Sequence, residues 1–227
     1  EYFNLKEDYV FEIGLTATRP DATSHLGVGR DLVAILACQM NKKTPLLIPS
    51  VDDFKVDKNE NKIEIKIDEK LCGRYSGVTI SGVEVKESPS WIKEHLQSVG
   101  IRPINNIVDA TNFVLMEVGQ PLHSFDLDKI KGNKIEVKTV EKGTKFTTLD
   151  EIERELNGKE AMVCNECEPM CMGGIFGGKD SGIKENTKNI FIESAYFNPV
   201  VIRKAAKYHG LQTDASFRYE RGADPNV

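Results

Sequence analysis

This chain has no excess of basic residues, and nothing in it is long and apolar. Lysine and arginine number 30 against 35 aspartates and glutamates, a formal charge of −5. That balance argues against a surface built to coat nucleic acid, while a local basic patch stays open. No apolar run approaches the roughly 20 residues of a membrane span, and no secretory leader opens the sequence. There is no internal repeat. A G-x-G-x-x-G fingerprint and a P-loop lysine-threonine are both missing, so neither standard phosphate cradle is drawn. No Ser-His-Asp set can be picked out either.

Cysteine is sparse and odd in number, at five. A long chain without a leader and with unpaired cysteine reads as cytoplasmic, with reduced thiols. Cys164, Cys167 and Cys171 form C-x2-C-x3-C, which invites a metal or redox reading. A closed zinc site needs four ligands, however. Cys38 and Cys72 are remote, and the four histidines show no metal-pair spacing. Free thiols beside a loop are the simpler expectation, so no metal is assigned.

What is present is enough for one large domain or two small ones: 227 residues, 40% of them hydrophobic, which supports a core rather than disorder. The chain begins at Glu1 and ends at Val227, which reads as a piece of a longer protein. Val10–Ala17 alternates enough to predict a strand, followed by a turn at Thr18-Arg19-Pro20-Asp21. Ser24 is placed to cap a helix to about Met40, with Leu26, Leu32, Val33, Ile35 and Leu36 as its apolar side. Lys42–Asp57 and the charged run Lys58-Asn59-Glu60-Asn61-Lys62 read as a solvated linker. This divides the chain into 1–62 and 63–227.

Beyond the linker, Ile63–Ile67 alternates strictly and predicts a half-buried strand. Tyr75–Val85 reads as one or two strands broken at Gly82. Ser88-Pro89 opens a helix closed by Gly100. Asn106–Val118 is a second helix, stopped at Gly119. Lys134–Val140, Ala161–Cys164 and Asn189–Tyr196 read as strands. Asn198-Pro199 starts a last helix ending at Gly210. The mixture lacks a regular βαβ period, so an α+β fold with mixed sheets and packed helices is expected.

Three separated segments place polar or glycine-rich backbone where a small ligand could sit: Gly119–Asp126, Gly173–Gly178 and Thr213–Gly222. His123, just past a helix end and Pro121, is expected in a loop, where it could act as a base or hydrogen-bond an ester. The bland alternative is that it packs locally and Asp126 caps a turn. The glycine pairs flanking Ile175-Phe176 let backbone approach a ligand and expose amides, or simply make a tight turn. In Ile190-Phe191-Ile192-Glu193, Phe191 and Glu193 share a face. A carboxylate beside Phe191 is poorly solvated and needs a donor, either a basic side chain or a ligand hydroxyl. Arg203, Lys204 and Lys207 form a basic helical face that is solvated or meets phosphates.

Five stretches together resemble the editing region of the beta subunit of bacterial phenylalanyl-tRNA synthetase. They are Thr18–Asp21 with Leu26–Asp31, Arg102–Asn112, Gly119–Asp126, Gly173–Gly178 and His209–Pro225, in family order from about Val10 to the end. Thr18 departs from the family's usual asparagine, and the cysteine cluster lies where the family has no ligand set. The resemblance implies an α+β editing domain at 63–227, with 1–62 as the tail of a preceding small domain plus linker. It implies hydrolysis of the ester of tyrosine mischarged onto tRNA(Phe). Glu193 would accept the tyrosine hydroxyl, aided by a backbone amide of the glycine loop near Gly174. His123 would lie near the ester and ribose end, and Thr213 would hold water or substrate. Gly177 and Ala215 would keep the pocket open. The whole complex would be a phenylalanine–tRNA ligase using ATP and Mg2+, with no cofactor in this chain. Expected partners are the tRNA(Phe) acceptor end and the alpha subunit, in a heterotetramer, and no membrane. A tRNA-end or subunit-binding module without turnover is the alternative. The chemistry is consistent with editing: an apolar pocket discriminates against an added hydroxyl by only about 10²-fold, whereas a site that hydrogen-bonds the hydroxyl reaches roughly 10⁴–10⁵.

Overall fold

The computed structural model describes residues 9–59 and 62–225. The first eight residues of the expected tail, and Glu60 and Asn61 of the expected linker, lie outside the described residues. The expected strand at Val10–Ala17 does not form; these residues are exposed and irregular. Alternation alone does not make a strand, because an extended segment with no neighbour leaves its ladder groups to water. Pro20–Ala22 makes one 3-10 turn, and helix α1 follows at His25–Met40. Ser24 caps it as expected, its hydroxyl accepting the Gly27 amide at 3.0 Å. Only its first turns are covered; Leu32 and Ile35 face solvent. Residues 42–57 run without regular structure and expose Leu47, Val51 and Phe54.

The rest is built on two main sheets. Strand β1 (Glu64–Ile67) is followed by β2 (Cys72–Ser81), helices α2 (Ser90–Ser98) and α3 (Asn106–Val118), and strand β3 (Leu122–Asp126). Then come β4 (Lys134–Lys138), the hairpin β5 (Lys145–Thr147) and β6 (Glu153–Glu155), β7 (Met162–Cys164), β8 (Pro169–Met172) and β9 (Phe176–Gly177). Strand β10 (Asn189–Phe197) and helices α4 (Pro199–His209) and α5 (Asp214–Tyr219) complete the chain. One sheet has the order β1-β4-β7-β8-β9, with β1 and β4 parallel; the other is the antiparallel β2-β10-β3. Helices lie apart from any βαβ repeat, so the fold is α+β. One apolar cluster joins both sheets to α4 and α5 through Phe125, Met172, Phe191, Phe197, Ile202 and Tyr219.

The helix ends follow local chemistry. Asn105 caps α3 by accepting the amides of Ile107 and Val108, and Gly119 closes it at φ 85°, a left-handed conformation that glycine adopts freely. Asp109, fully buried, accepts the Ser88 hydroxyl and the Ile104 amide. The Arg102–Asn112 stretch therefore works as a clamp between α3 and the segment before it. Asn198 caps α4 and Gly210 ends it.

Below α4 lies a buried acid. Glu160 is 0% exposed and accepts the amides of Asn157 at 2.9 Å and Lys159 at 3.1 Å, and its Oε1 lies 2.8 Å from His209 Nε2. Removing it orphans several polar groups at once. Glu160→Ala should therefore cost about 3 kcal/mol in urea unfolding, and a loss below about 1 kcal/mol would show that water replaces the carboxylate.

Candidate functional site

The central strand of the smaller sheet carries the site. Antiparallel register sets Glu193 of β10 directly opposite His123 of β3 and opposite Gly77 of β2. Phe191, two residues along, is opposite Phe125, so both aromatic rings and the two polar groups share one face. His123 packs edge-on against Phe125 with ring centroids 4.5 Å apart. The expected loop histidine is thus a strand residue. Pro121 ends the turn after α3, and a short polar run then pairs with β10, a non-local contact that local composition does not announce.

Glu193 is 3% exposed. The Tyr75 hydroxyl of β2 donates to its Oε2 at 2.5 Å. Among the described residues no lysine or arginine pairs with it. Burial pushes its carboxyl up to about 7, against which the Tyr75 hydrogen bond acts in the opposite direction. His123 responds to the same apolar surroundings the other way: burial alone pushes its imidazole down to about 4. Its Nε2 is sealed from solvent and has no hydrogen-bond partner. A neutral imidazole with a free nitrogen and a carboxylate of near-neutral pKa can each exchange a hydrogen bond with an incoming polar group.

Both groups line one cavity of about 60 Å³, together with Pro121, Leu122, Cys171, Gly174, Ile175, Phe176, Gly177, Ala215 and Tyr219. Strands β3, β8, β9 and β10, helix α5 and the glycine turn converge here. Gly173-Gly174-Ile175 turns the chain from β8 to β9, and Gly174 sits at φ 68°, where a Cβ would lie 2.8 Å from the Tyr219 ring. A Cβ on Gly177 would lie 2.8 Å from His123 Cε1, so this glycine admits the imidazole. The turn's amides are less free than expected: those of Gly173, Ile175 and Gly178 donate to the carbonyls of Ala161, Met172 and Met170.

Thr213 does not line the cavity. It caps α5, accepting the Ser216 amide at 3.1 Å, and donates to the Ile175 carbonyl at 3.1 Å, so it ties α5 to the glycine turn. Asp126 takes the bland role, accepting the Asp128 amide and the Thr187 hydroxyl. Arg203, Lys204 and Lys207 are exposed on α4. The five cysteines are free, and no group of three metal-ligating side chains converges among the described residues. Cys164 and Cys171 are buried while Cys167 is exposed. Tyr75 was not legible as a neighbour of the site; Tyr219 lies in the candidate segment Thr213–Gly222 without having been singled out, and Cys171, read only within the cysteine cluster, reaches the cavity through inter-sheet packing.

A family model described as the B3/4 domain matches residues 71–227. The chain belongs to the B3/4 domain family. Across its full length this B3/4 chain is 54% identical to the phenylalanine–tRNA ligase beta subunit of Bacteroides thetaiotaomicron, covering 28% of that protein. It is 42% identical to the protein of the same name from Thermotoga maritima, over 98% of this chain and 28% of the relative. The chain thus spans a little over a quarter of the length of these relatives. A solved N-terminal fragment of the phenylalanyl-tRNA synthetase beta-subunit from Pyrococcus horikoshii aligns with 86% of this chain and 60% of that one, at 20% identity and a TM-score of 0.47. No described helix is long and apolar enough to cross a membrane.

The paired shifts make a stability prediction. Glu193, raised from an ordinary 4.5 to about 7, contributes stability that is full below 4.5 and lost as pH rises through 7. His123, lowered from 6.5 to about 4, contributes stability present above 6.5 and lost as pH falls through 4. Between 4.5 and 6.5 the two slopes oppose one another. Relative to the parent, Glu193→Gln should therefore gain stability steadily as pH rises, by roughly 3 kcal/mol across the whole interval. Urea unfolding at stepped pH reads this directly, and a difference independent of pH would contradict it.

Proposed function

We propose that residues 63–227 act as the editing domain of a phenylalanine–tRNA ligase beta subunit, hydrolysing the ester of tyrosine wrongly attached to tRNA(Phe). The observation that carries this reading is Glu193: a buried carboxylate, lining a cavity, opposite a histidine with an unused nitrogen. A tyrosine hydroxyl entering the cavity would donate to Glu193. A phenylalanine ring would put apolar carbon against the same acid and leave it with less hydrogen bonding, which costs free energy. That difference selects the mischarged ester.

His123 would face the ester end. Burial holds its imidazole down at about 4, so near neutral pH it offers a hydrogen bond rather than a fixed charge and is only a weak proton acceptor. Gly177 and Ala215 keep the walls thin, Gly174 shapes the turn, and Thr213 holds α5 against that turn. The cavity of about 60 Å³ is far below the ~300 Å³ at the small end of ligand pockets. Entry of a tyrosyl group therefore requires the walls to part. We place the opening between α5 and the glycine turn, which Thr213 and Ile175 join by a side-chain hydrogen bond.

ATP and Mg2+ would belong to the complete synthetase, and this domain uses neither. The acceptor end of tRNA(Phe) and an alpha subunit are the partners that follow from this reading. The small cavity favours a second reading, a binding module for the tRNA end or the other subunit, without turnover. Deacylation assays on the chain and on the assembled enzyme separate the two, because a module hydrolyses Tyr-tRNA in neither. In the assembled enzyme, Glu193→Ala should retain aminoacylation and lose its preference for Tyr-tRNA over Phe-tRNA by about 100-fold, the worth of one hydrogen bond to a charged group. An unchanged preference sinks the recognition role of Glu193.

A further inference from the structure

We propose that Tyr75 is a positioning residue of this site: its phenol holds one oxygen of Glu193 from outside the cavity, leaving the other to receive a substrate hydroxyl. The inference rests on the reading that Glu193 recognises tyrosine. It adds a residue that no feature of the local sequence marks.

Strand geometry sets up the contact. Tyr75 pairs with Ala195, two residues from Glu193, and so is the diagonal neighbour of the carboxylate on the same face. The directly opposite position is Gly77, which has no side chain to offer. A Cβ there would lie 2.0 Å from Phe191 Cζ, so the position is closed to larger residues and the diagonal tyrosine reaches the acid instead. Glu193 lines the cavity and Tyr75 does not. The Tyr75 hydroxyl, 2.5 Å from Oε2, thus approaches from the wall and not from the space a ligand would fill.

Two consequences follow from the chemistry of a carboxylate. It offers about four acceptor directions, so one phenol does not exclude a second. A side chain already fixed by one hydrogen bond loses less rotamer freedom when it makes another, which favours binding through pre-organisation. Tyr75 also favours the ionised, acceptor-only form of the acid. Without it the carboxyl is protonated over a wider pH range and presents a donor as well.

The pH range of the test isolates Glu193. The groups facing it are Tyr75 and Cys72 from β2, His123 from β3, Cys171 from β8 and Tyr219 from α5. Burial raises Cys72 to about 12, raises Cys171, Tyr75 and Tyr219 well above their ordinary values, and lowers His123 to about 4. Near neutrality the acid alone changes charge.

The experiment uses the assembled synthetase, as parent, Tyr75→Phe and Glu193→Gln, and follows deacylation of Tyr-tRNA and Phe-tRNA across neutral pH. Taking the ratio of the two esters cancels the pH dependence of hydrolysis itself. Tyr75→Phe should raise KM for the tyrosyl ester about tenfold with kcat little changed, a smaller loss than removal of the carboxylate because the acceptor itself remains. The pH midpoint of the Tyr-over-Phe ratio should move upward. Fluorotyrosine at position 75, a more acidic phenol and a stronger donor, should move the midpoint downward, and it decides the matter if Tyr75→Phe does not fold. A midpoint and a KM that stay at parental values overturn the role of Tyr75. If Glu193→Gln abolishes the pH dependence of the Tyr-over-Phe ratio, only the Tyr75 proposal falls; if the midpoint persists without the acid, the reading beneath it falls too.

Discussion

A carboxylate taken out of water must be either paired or neutral, and Glu193 is held at the balance between the two. Its neighbours are aromatic rings, thiols and a neutral imidazole, and the hydroxyl of Tyr75 supplies its hydrogen bond. Burying an acid in this way costs stability at neutral pH, so the position is unfavourable for folding alone. The opposite shift at His123 arises from the same apolar setting. Two titratable groups whose environments drive their pKa values toward and past one another are a recurring arrangement at functional sites.

The frame exists to hold that face rigid. The β2-β10-β3 sheet sets the register of Tyr75, Glu193 and His123, and the larger sheet brings Cys171 and the glycine turn over them. Gln120 and Tyr219 fasten the mouth of β3 to β10, both bonding the carbonyls of Pro121 and Ala195. Thr213 secures α5 to the glycine turn. The cavity that results holds about 60 Å³.

Much of this was legible in the sequence where the signal is local. Gly119 marks the end of α3, Asn198-Pro199 and Gly210 mark α4, and the alternation around Ile190–Glu193 places the acid with Phe191 on one face, as found. What escaped depends on pairing between distant segments. The strand at Leu122–Asp126 is short, polar and preceded by proline, so it reads as loop until β10 lies beside it. Tyr75 looks like any alternating strand residue until the register sets it diagonal to Glu193. Val10–Ala17 shows the converse, since its alternation finds no partner strand. Of the residues that the resemblance implies, His123, Gly174, Gly177, Glu193 and Ala215 line one cavity, and Thr213 bonds the Ile175 carbonyl of the adjoining turn.

Glu193 is a buried acid poised near neutrality. Carbon-13 NMR of glutamate-labelled protein, with Glu193→Gln to assign the resonance, measures its titration directly. The expected carboxyl midpoint is near 7. A midpoint near the ordinary ~4.3 of a solvated glutamate would contradict it.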